Sequence, residues 1–106
     1  MVKLLTEDQP QRQLQGLDSD WKLTKQKTVL SRTITLPDFM TAFTLVARIA
    51  VRAEVQQHHP DIELGYGRVK VSMTTHDKGG LTKKDFQLAA AVDDVLASVA
   101  SGDKSS

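Results

Sequence analysis

The sequence predicts an α+β domain in which four strands form two antiparallel hairpins, with helices packed on one face, in the order α-β-β-α-β-β-α. Three observations carry this. Arg68 to Thr75 alternates cleanly, with Val69, Val71, Met73 and Thr75 on one side and Arg68, Lys70, Ser72 and Thr74 on the other, the pattern of a half-buried antiparallel strand. Phe39 to Ala53 repeats its apolar residues at helical spacing. Thr82-Lys83-Lys84-Asp85 is a capping box opening a second periodic run. Strands and helices of this kind bury their apolar sides against each other as two layers.

The elements follow in chain order. Thr6-Glu7-Asp8-Gln9 is a capping-box pattern, Pro10 is tolerated in a first turn, and Gly16 ends the short helix expected from Glu7 to Gln15. Trp21-Lys22-Leu23 is a short strand, Thr24 to Lys27 its turn, and the β-branched stretch from Thr28 to Leu36 a longer strand. Pro37 suits the first position of the central helix, and the charge of Asp38 suits the positive end beside it. Phe39, Phe43, Val46, Ile49, Ala50 and Ala53 form the helical stripe, while Leu45, Val51 and Val55 add a second apolar side. A second side of this kind belongs either to a deeply buried helix or to one that meets another copy of the chain. Pro60 stops the helix, because it disfavours the α region in His59. Ile62 to Tyr66 is a strand with a bend around Gly65-Tyr66-Gly67, and Gly79-Gly80 breaks the strand that follows. In the last helix Phe86, Ala89, Val92, Leu96 and Val99 face the core.

With 106 residues the chain is one domain's worth. A single domain over 1–100 and a flexible tail over 101–106 are expected, since Ser101-Gly-Asp-Lys-Ser-Ser106 is small and polar. No apolar run could span a membrane, and Met1 to Leu5 is too short for a signal-peptide core. There is no cysteine, which removes disulfides and thiolate zinc sites and fits a reducing cytosol, so a cytoplasmic protein is expected. The formal net charge of +1 gives no electrostatic case for nucleic acid or an anionic membrane.

Chemistry concentrates in the three histidines. His58 and His59 end the central helix before Pro60, and His76 leaves a strand in Thr75-His76-Asp77; element ends are where a scaffold presents reactive groups. Glu54 lies four residues before His58, one turn away on the same face, placed to orient or charge its imidazole. Imidazole gives and takes protons near neutrality. Two imidazoles of opposite protonation in one pocket can act together as acid and base, which an elimination of water requires. The bland alternative is that the histidine pair is a solvated helix end favoured by the helix dipole and His76 a strand end without a task. A three-histidine zinc site is a third alternative, disfavoured by divergent neighbours and by the lack of His-x-x-x-His spacing. Asp85 can touch a polar ligand or simply cap its helix. Trp21 can stack on a flat ring or simply fill core. Arg48 and Arg52 share a helix face suited to salt bridges. Gly79-Gly80 is a turn and not a phosphate loop.

Glu54-Val-Gln-Gln-His58-His59-Pro60, then Tyr66-x-x-Val69, Thr75-His76-Asp77 and Gly80-Leu81-Thr82-x-x-Asp85-x-x-Leu88-Ala89 together resemble the pterin-4a-carbinolamine dehydratase family. The resemblance runs from about Trp21 to Val95, with Leu5-Thr6-Glu7 resembling the family's first helix. It implies a four-stranded antiparallel sheet with helices on one side, assembling as a homodimer or homotetramer. It implies a hydro-lyase that removes water from 4a-hydroxytetrahydrobiopterin to give quinonoid dihydropterin, regenerating pterin after an aromatic amino acid hydroxylase has used it. It implies no metal and no organic cofactor. Matched residue by residue, it implies acid–base roles for His58 and His76 and pterin holding by His59. Thr75 and Asp77 fall on the family's strand-end segment lining the site, Glu54 and Asp85 on carboxylates near the pocket, and Trp21 on a tryptophan close to it. Gln57 departs from members that carry an acid before the histidine pair, and Ile62 from members with an aromatic residue in that region. Both bear on pterin contacts and not on the acid–base core.

Two other functions compete. Relatives in the same family serve as dimerisation partners of a transcription factor or assist Rubisco assembly, so a non-catalytic interaction module is the alternative; retention of all three histidines argues for the enzyme. Nucleic-acid binding through the polar sheet face is weaker, because Arg68 and Lys70 lack interleaved aromatic platforms.

Overall fold

The computed structural model describes residues 3–100; the tail expected over 101–106 lies outside them. Its elements are α1 (Gln9–Leu14), β1 (Lys22–Thr24), β2 (Val29–Thr35), α2 (Phe39–Gln56), β3 (Asp61–Gly65), β4 (Arg68–Met73) and α3 (Lys83–Ala100), with a 3-10 turn at His76–Lys78. The alternation read in β4 is what pairs it. All neighbours in the sheet are antiparallel, in the order β1-β2-β4-β3. Leu30 lies opposite Met73 and Ile34 opposite Val69, and all four are buried. On the other face Ser31 lies opposite Ser72 and Thr35 opposite Arg68, with the two serine hydroxyls 3.2 Å apart. The four-stranded antiparallel sheet with its helices thus has the predicted order and class.

Helices α2 and α3 pack antiparallel. Arg48 Nη1 reaches Ser98 Oγ at 3.2 Å and Arg52 pairs with Asp94 at 3.2 Å, so one helix rises as the other falls. The arginine face of α2 therefore meets α3 within the same chain.

The helix ends refine the sequence reading. Pro37 stands before α2 rather than in its first turn. Asp38 is the cap, in extended conformation, and its Oδ1 accepts the Thr41 N–H at 2.8 Å. A carboxylate in the cap position satisfies an otherwise orphaned helix donor, which is a stronger tie than charge near the helix end. These Thr41 hydrogen bonds, backbone first and then side chain, hold the Asp38 carboxyl below its ordinary range. At α1 the Gln9 side chain accepts the Thr6 N–H at 2.9 Å, but the cap residue is Asp8, which makes no side-chain cap bond, and the helix runs over Gln9–Leu14, so the expected Thr6 box stands ahead of the helix and does not cap it.

The stripe of α2 also divides differently. Its core face is Ala42, Leu45, Ile49 and Ala53, spaced three, four and four residues apart. Small and medium side chains there let the helix lie close on the sheet. Phe39, Met40, Phe43, Val51 and Val55 are exposed, so part of the predicted core stripe faces outward. From α3, Phe86, Ala89 and Val92 are buried as expected, while Leu96 and Val99 are only partly buried against the core.

Arg32 is an unexpected member of the inward row, opposite Val71. Its guanidinium is held by Asp93 at 2.8 Å, with Asp20 and Asp18 at 3.6 and 3.7 Å. Gly67 marks the closest backbone approach of the β3–β4 turn. Its C=O accepts the Leu36 N–H at 2.8 Å, and a Cβ there would stand 2.7 Å from the Leu36 oxygen.

Candidate active site

Three chain reversals build the site, each dictated locally. The first ends α2. Gln57 adopts the left-handed conformation (φ 54°, ψ 43°), the His58 N–H bonds the Ala53 C=O at 3.1 Å and the Gln57 N–H bonds the Glu54 C=O at 3.2 Å. These are the paired bonds of a Schellman ending. The helix thus stops at Gln56, before Pro60 could force it to. The reversal takes His58 out of register with Glu54. The expected Glu54–His58 contact is therefore replaced: His59 Nε2 meets Glu54 Oε2 at 2.6 Å, on the surface, and His58 turns inward. The Gln57 side chain folds back to donate to the Glu54 C=O at 2.8 Å.

The second reversal follows β4. Thr75 pairs with Gly80 as an isolated bridge, with Thr75 N–H to Gly80 C=O at 2.9 Å and Gly79 N–H to Thr75 C=O at 3.1 Å. Gly79 takes φ +73°, a left-handed geometry that glycine adopts without a Cβ penalty. The closed loop presents His76 and Asp77, both exposed, on the 3-10 turn directly after buried Thr75. The third reversal is the start of α3. Thr82 Oγ1 accepts the Lys84 N–H at 3.2 Å and Asp85 Oδ2 accepts the Thr82 N–H at 2.9 Å, so the box read from sequence forms at this end.

Asp85 joins all three. It is fully buried (0% exposed) and His58 nearly so (9%). Asp85 Oδ1 lies 2.6 Å from His58 Nε2; Oδ2 accepts from the Thr75 hydroxyl at 2.7 Å as well as from the Thr82 N–H. The Thr75 and Thr82 hydroxyls are 2.8 Å apart. A carboxylate without solvent persists only when paired and hydrogen-bonded, and this one has a partner on each oxygen. The arrangement resembles the base–orienter half of a catalytic triad: a buried acid steering an imidazole that keeps one nitrogen for chemistry.

His58, Thr75 and Asp85 are thus bonded into one cluster, with His76 one residue from it. Glu54, Gln57 and His59 occupy the adjoining end of α2. Asp85 has no exposed surface, and its side-chain contacts are with His58, Thr75 and Thr82. Trp21 stands apart from the cluster in this chain. Its Nε1 donates to Asp93 Oδ1 at 2.7 Å, and Asp93 lies eight residues beyond Asp85 on α3, about 12 Å along a helix. Among the described residues, no three His, Cys, Asp or Glu side chains converge in a metal-holding group. Thr82 is the member that the sequence reading took only as a helix cap; its signal was the Thr82-x-x-Asp85 box itself.

The model of the family described as pterin 4 alpha carbinolamine dehydratase matches residues 3–95. The chain belongs to the pterin carbinolamine dehydratase family. Curated relatives carry that family's name provisionally. One from Rhodospirillum rubrum is 46% identical over 77 residues, covering 73% of this chain and 80% of the relative. One from Nostoc sp. is 43% identical over 95 residues, covering 90% and 99%. Among solved structures, a Brucella melitensis protein described as a transcriptional coactivator/pterin dehydratase superposes with a TM-score of 0.83 at 32% identity, covering 88% of this chain and 98% of that one. A pterin dehydratase-like protein identified as a RuBisCO assembly factor in the alpha-carboxysome shares the fold at a TM-score of 0.62 and 18% identity, covering 72% and 88%. The pterin dehydratase fold is thus common to this chain and both structures.

Proposed function

We propose that this chain is a hydro-lyase that dehydrates a pterin 4a-carbinolamine, 4a-hydroxytetrahydrobiopterin in the full reading, by histidine acid–base catalysis. The observation that carries the proposal is His58, nearly buried at a helix end, with Nε2 held 2.6 Å from the fully buried Asp85 carboxylate. An imidazole fixed in this way serves proton transfer and gains nothing as a surface cap. His76, one residue beyond Thr75 in the same cluster, supplies a second imidazole.

In this mechanism the N5 lone pair of the pterin expels the 4a-hydroxyl. One of the two histidines protonates the departing oxygen, so the C4a–O bond breaks to release water. The other accepts a ring-nitrogen proton, and the product is the quinonoid dihydropterin. His59, tied to Glu54 on the surface, holds the pterin, with Gln57, Thr75 and Asp77 bordering the same place. No step requires a metal or an organic cofactor. Such an enzyme supports recycling of tetrahydrobiopterin in the cytoplasm. The test generates 4a-hydroxytetrahydropterin in situ and follows its loss by ultraviolet absorbance, with wild type beside His58→Ala and His76→Ala. Each variant is expected to lose about 10²–10⁴-fold in rate, with no effect of a chelator. Wild-type turnover in His76→Ala would sink the assignment.

One observation favours a second reading. Phe39, Met40, Phe43, Val51 and Val55 leave an apolar side of α2 exposed, Val55 at 77%. Contiguous apolar surface of this kind marks association, here a homodimer or homotetramer built through α2. A non-catalytic interaction module would use the same surface, as the coactivator and assembly-factor descriptions of the two structural relatives suggest. Absence of any rate acceleration, together with capture of a partner by this face, would favour that module.

A further inference from the structure

We propose that the cavity between the N-terminal segment and the start of α3 is a binding site for a small phosphate-bearing anion. The site is separate from the histidine cluster, and neither it nor its test rests on the dehydratase reading.

The cavity holds about 490 Å³, a size typical of small-molecule sites. Lys3, Leu4 and Leu5 line one side, Lys83, Lys84 and Gln87 of α3 the other, with Gln9 beside them. The two sides come from distant parts of the chain. They are joined by the Leu5 N–H, which donates to the Leu81 C=O at 2.7 Å, and by Leu4, whose Cδ1 would stand 2.9 Å from a Cβ on Gly80. The fold thereby brings Lys3 to Lys83 and Lys84. No Asp or Glu lines the cavity. Among the described residues, none of the three ammonium groups has an ion-pair or hydrogen-bond partner.

Two of these lysines stand where the fold by itself disfavours them. Lys83 and Lys84 open α3, and the first turn of a helix is its positive end, which favours acids and repels cations. The acid of that turn, Asp85, is fully buried and its oxygens are engaged by His58, Thr75 and Thr82. An anion in the cavity turns these repulsions into attractions, and a sequence that breaks a local rule in this way marks a functional place. Compact ammonium charges suit phosphate, whereas planar carboxylate recognition calls for the arginine fork. Gln9 adds a donor, because its side-chain oxygen is taken by the Thr6 N–H and its NH₂ is left to donate. Leu4, 41% exposed, and Leu5 offer an apolar wall to the rest of the ligand. The class that fits is a small phosphate monoester or diphosphate with an apolar remainder.

The experiment titrates the 15N-labelled full chain with inorganic phosphate and with pyrophosphate, using sodium chloride at matched ionic strength as the blank, and follows the backbone amides. Saturable shifts are expected over residues 3–9 and 80–87, with pyrophosphate the tighter of the two. Lys83→Gln with Lys84→Gln, and separately Lys3→Gln, are expected to weaken pyrophosphate roughly tenfold, about the effect of losing one charge-assisted hydrogen bond. Lys70→Gln, on the open face of the sheet, should bind as wild type does. Shifts that grow without saturating overturn the proposal. So do saturable shifts centred on His59 and His76, or affinities that the Lys3, Lys83 and Lys84 variants leave unchanged.

Discussion

His58 Nε2 and Asp85 Oδ1 stand 2.6 Å apart although 27 residues separate them in sequence. The contact ties the last reversal of α2 to the first turn of α3. Asp85 both caps its helix and holds an imidazole, so one buried carboxylate ties the fold to the proposed site.

The first prediction tests that double role. In Asp85→Asn, two donors still demand an oxygen at the Oδ2 position, so the amide NH₂ turns toward His58 and reverses its tautomer. A folded protein is expected, destabilised by about 1–3 kcal/mol through mismatched buried donors, with kcat down about 10²–10⁴-fold. Denaturant unfolding and the dehydration assay read the two effects separately.

His59 is exposed and, among the described residues, bonds the surface carboxylate of Glu54. His59→Ala is expected to raise KM several-fold with kcat little changed, the signature of lost uniform binding. Stability should stay within about 0.5 kcal/mol of wild type. A large fall in kcat at unchanged KM would move His59 into the proton-transfer pair.

Gln57 holds a left-handed conformation without being glycine. Such residues cost about 1 kcal/mol or more, and glycine removes most of that. Gln57→Gly is expected to stabilise the chain by about 0.5 kcal/mol, after the entropy glycine adds to the unfolded state. The readout is a melting temperature raised by a few degrees.

The Asp38 cap predicts a pH dependence. Its carboxyl is lowered from 3.8 by the Thr41 hydrogen bonds, so the charged form is favoured by folding. That contribution is fully present above the unfolded value and is lost as pH falls through the lower folded value. Thermal melts of wild type and Asp38→Ala should differ most above about pH 5 and converge as pH drops below 3.8.

Arg32 is nearly buried, with Asp93 as its closest ion-pair partner. Arg32→Met is expected to destabilise by about 2 kcal/mol, since it leaves a partly buried carboxylate unpaired. Adding Asp93→Asn should recover part of the loss while keeping an acceptor for Trp21. Urea midpoints of the two variants decide it.

Most of the fold was legible in the sequence because it rests on local periodicity. The alternation of β4 named its buried face, and the Thr82-x-x-Asp85 box named the start of α3. Where the reading went astray, two local patterns competed. Phe39 and Phe43 repeat at helical spacing as well as Leu45 and Ile49 do, and periodicity cannot say which stripe meets the sheet. Glu54 and His58 are also one turn apart on paper. The left-handed Gln57 breaks that register, and no short-range propensity of glutamine announces it.

By itself the sequence determined the order of elements, the two-layer class, and the three histidines at element ends, because period, caps and proline act within a few residues. Only the tertiary structure decided that His58 turns inward to Asp85 while His59 turns outward to Glu54, that Thr75 and Thr82 join in one buried chain, and that Trp21 belongs to Asp93. The His58–Asp85 and Trp21–Asp93 contacts join segments far apart in the chain. The enclosed ones exist because burial removes water as a competing hydrogen-bond partner, so each buried donor and acceptor must find another within the fold, while His59 reaches Glu54 on the surface because the left-handed Gln57 turns the chain there.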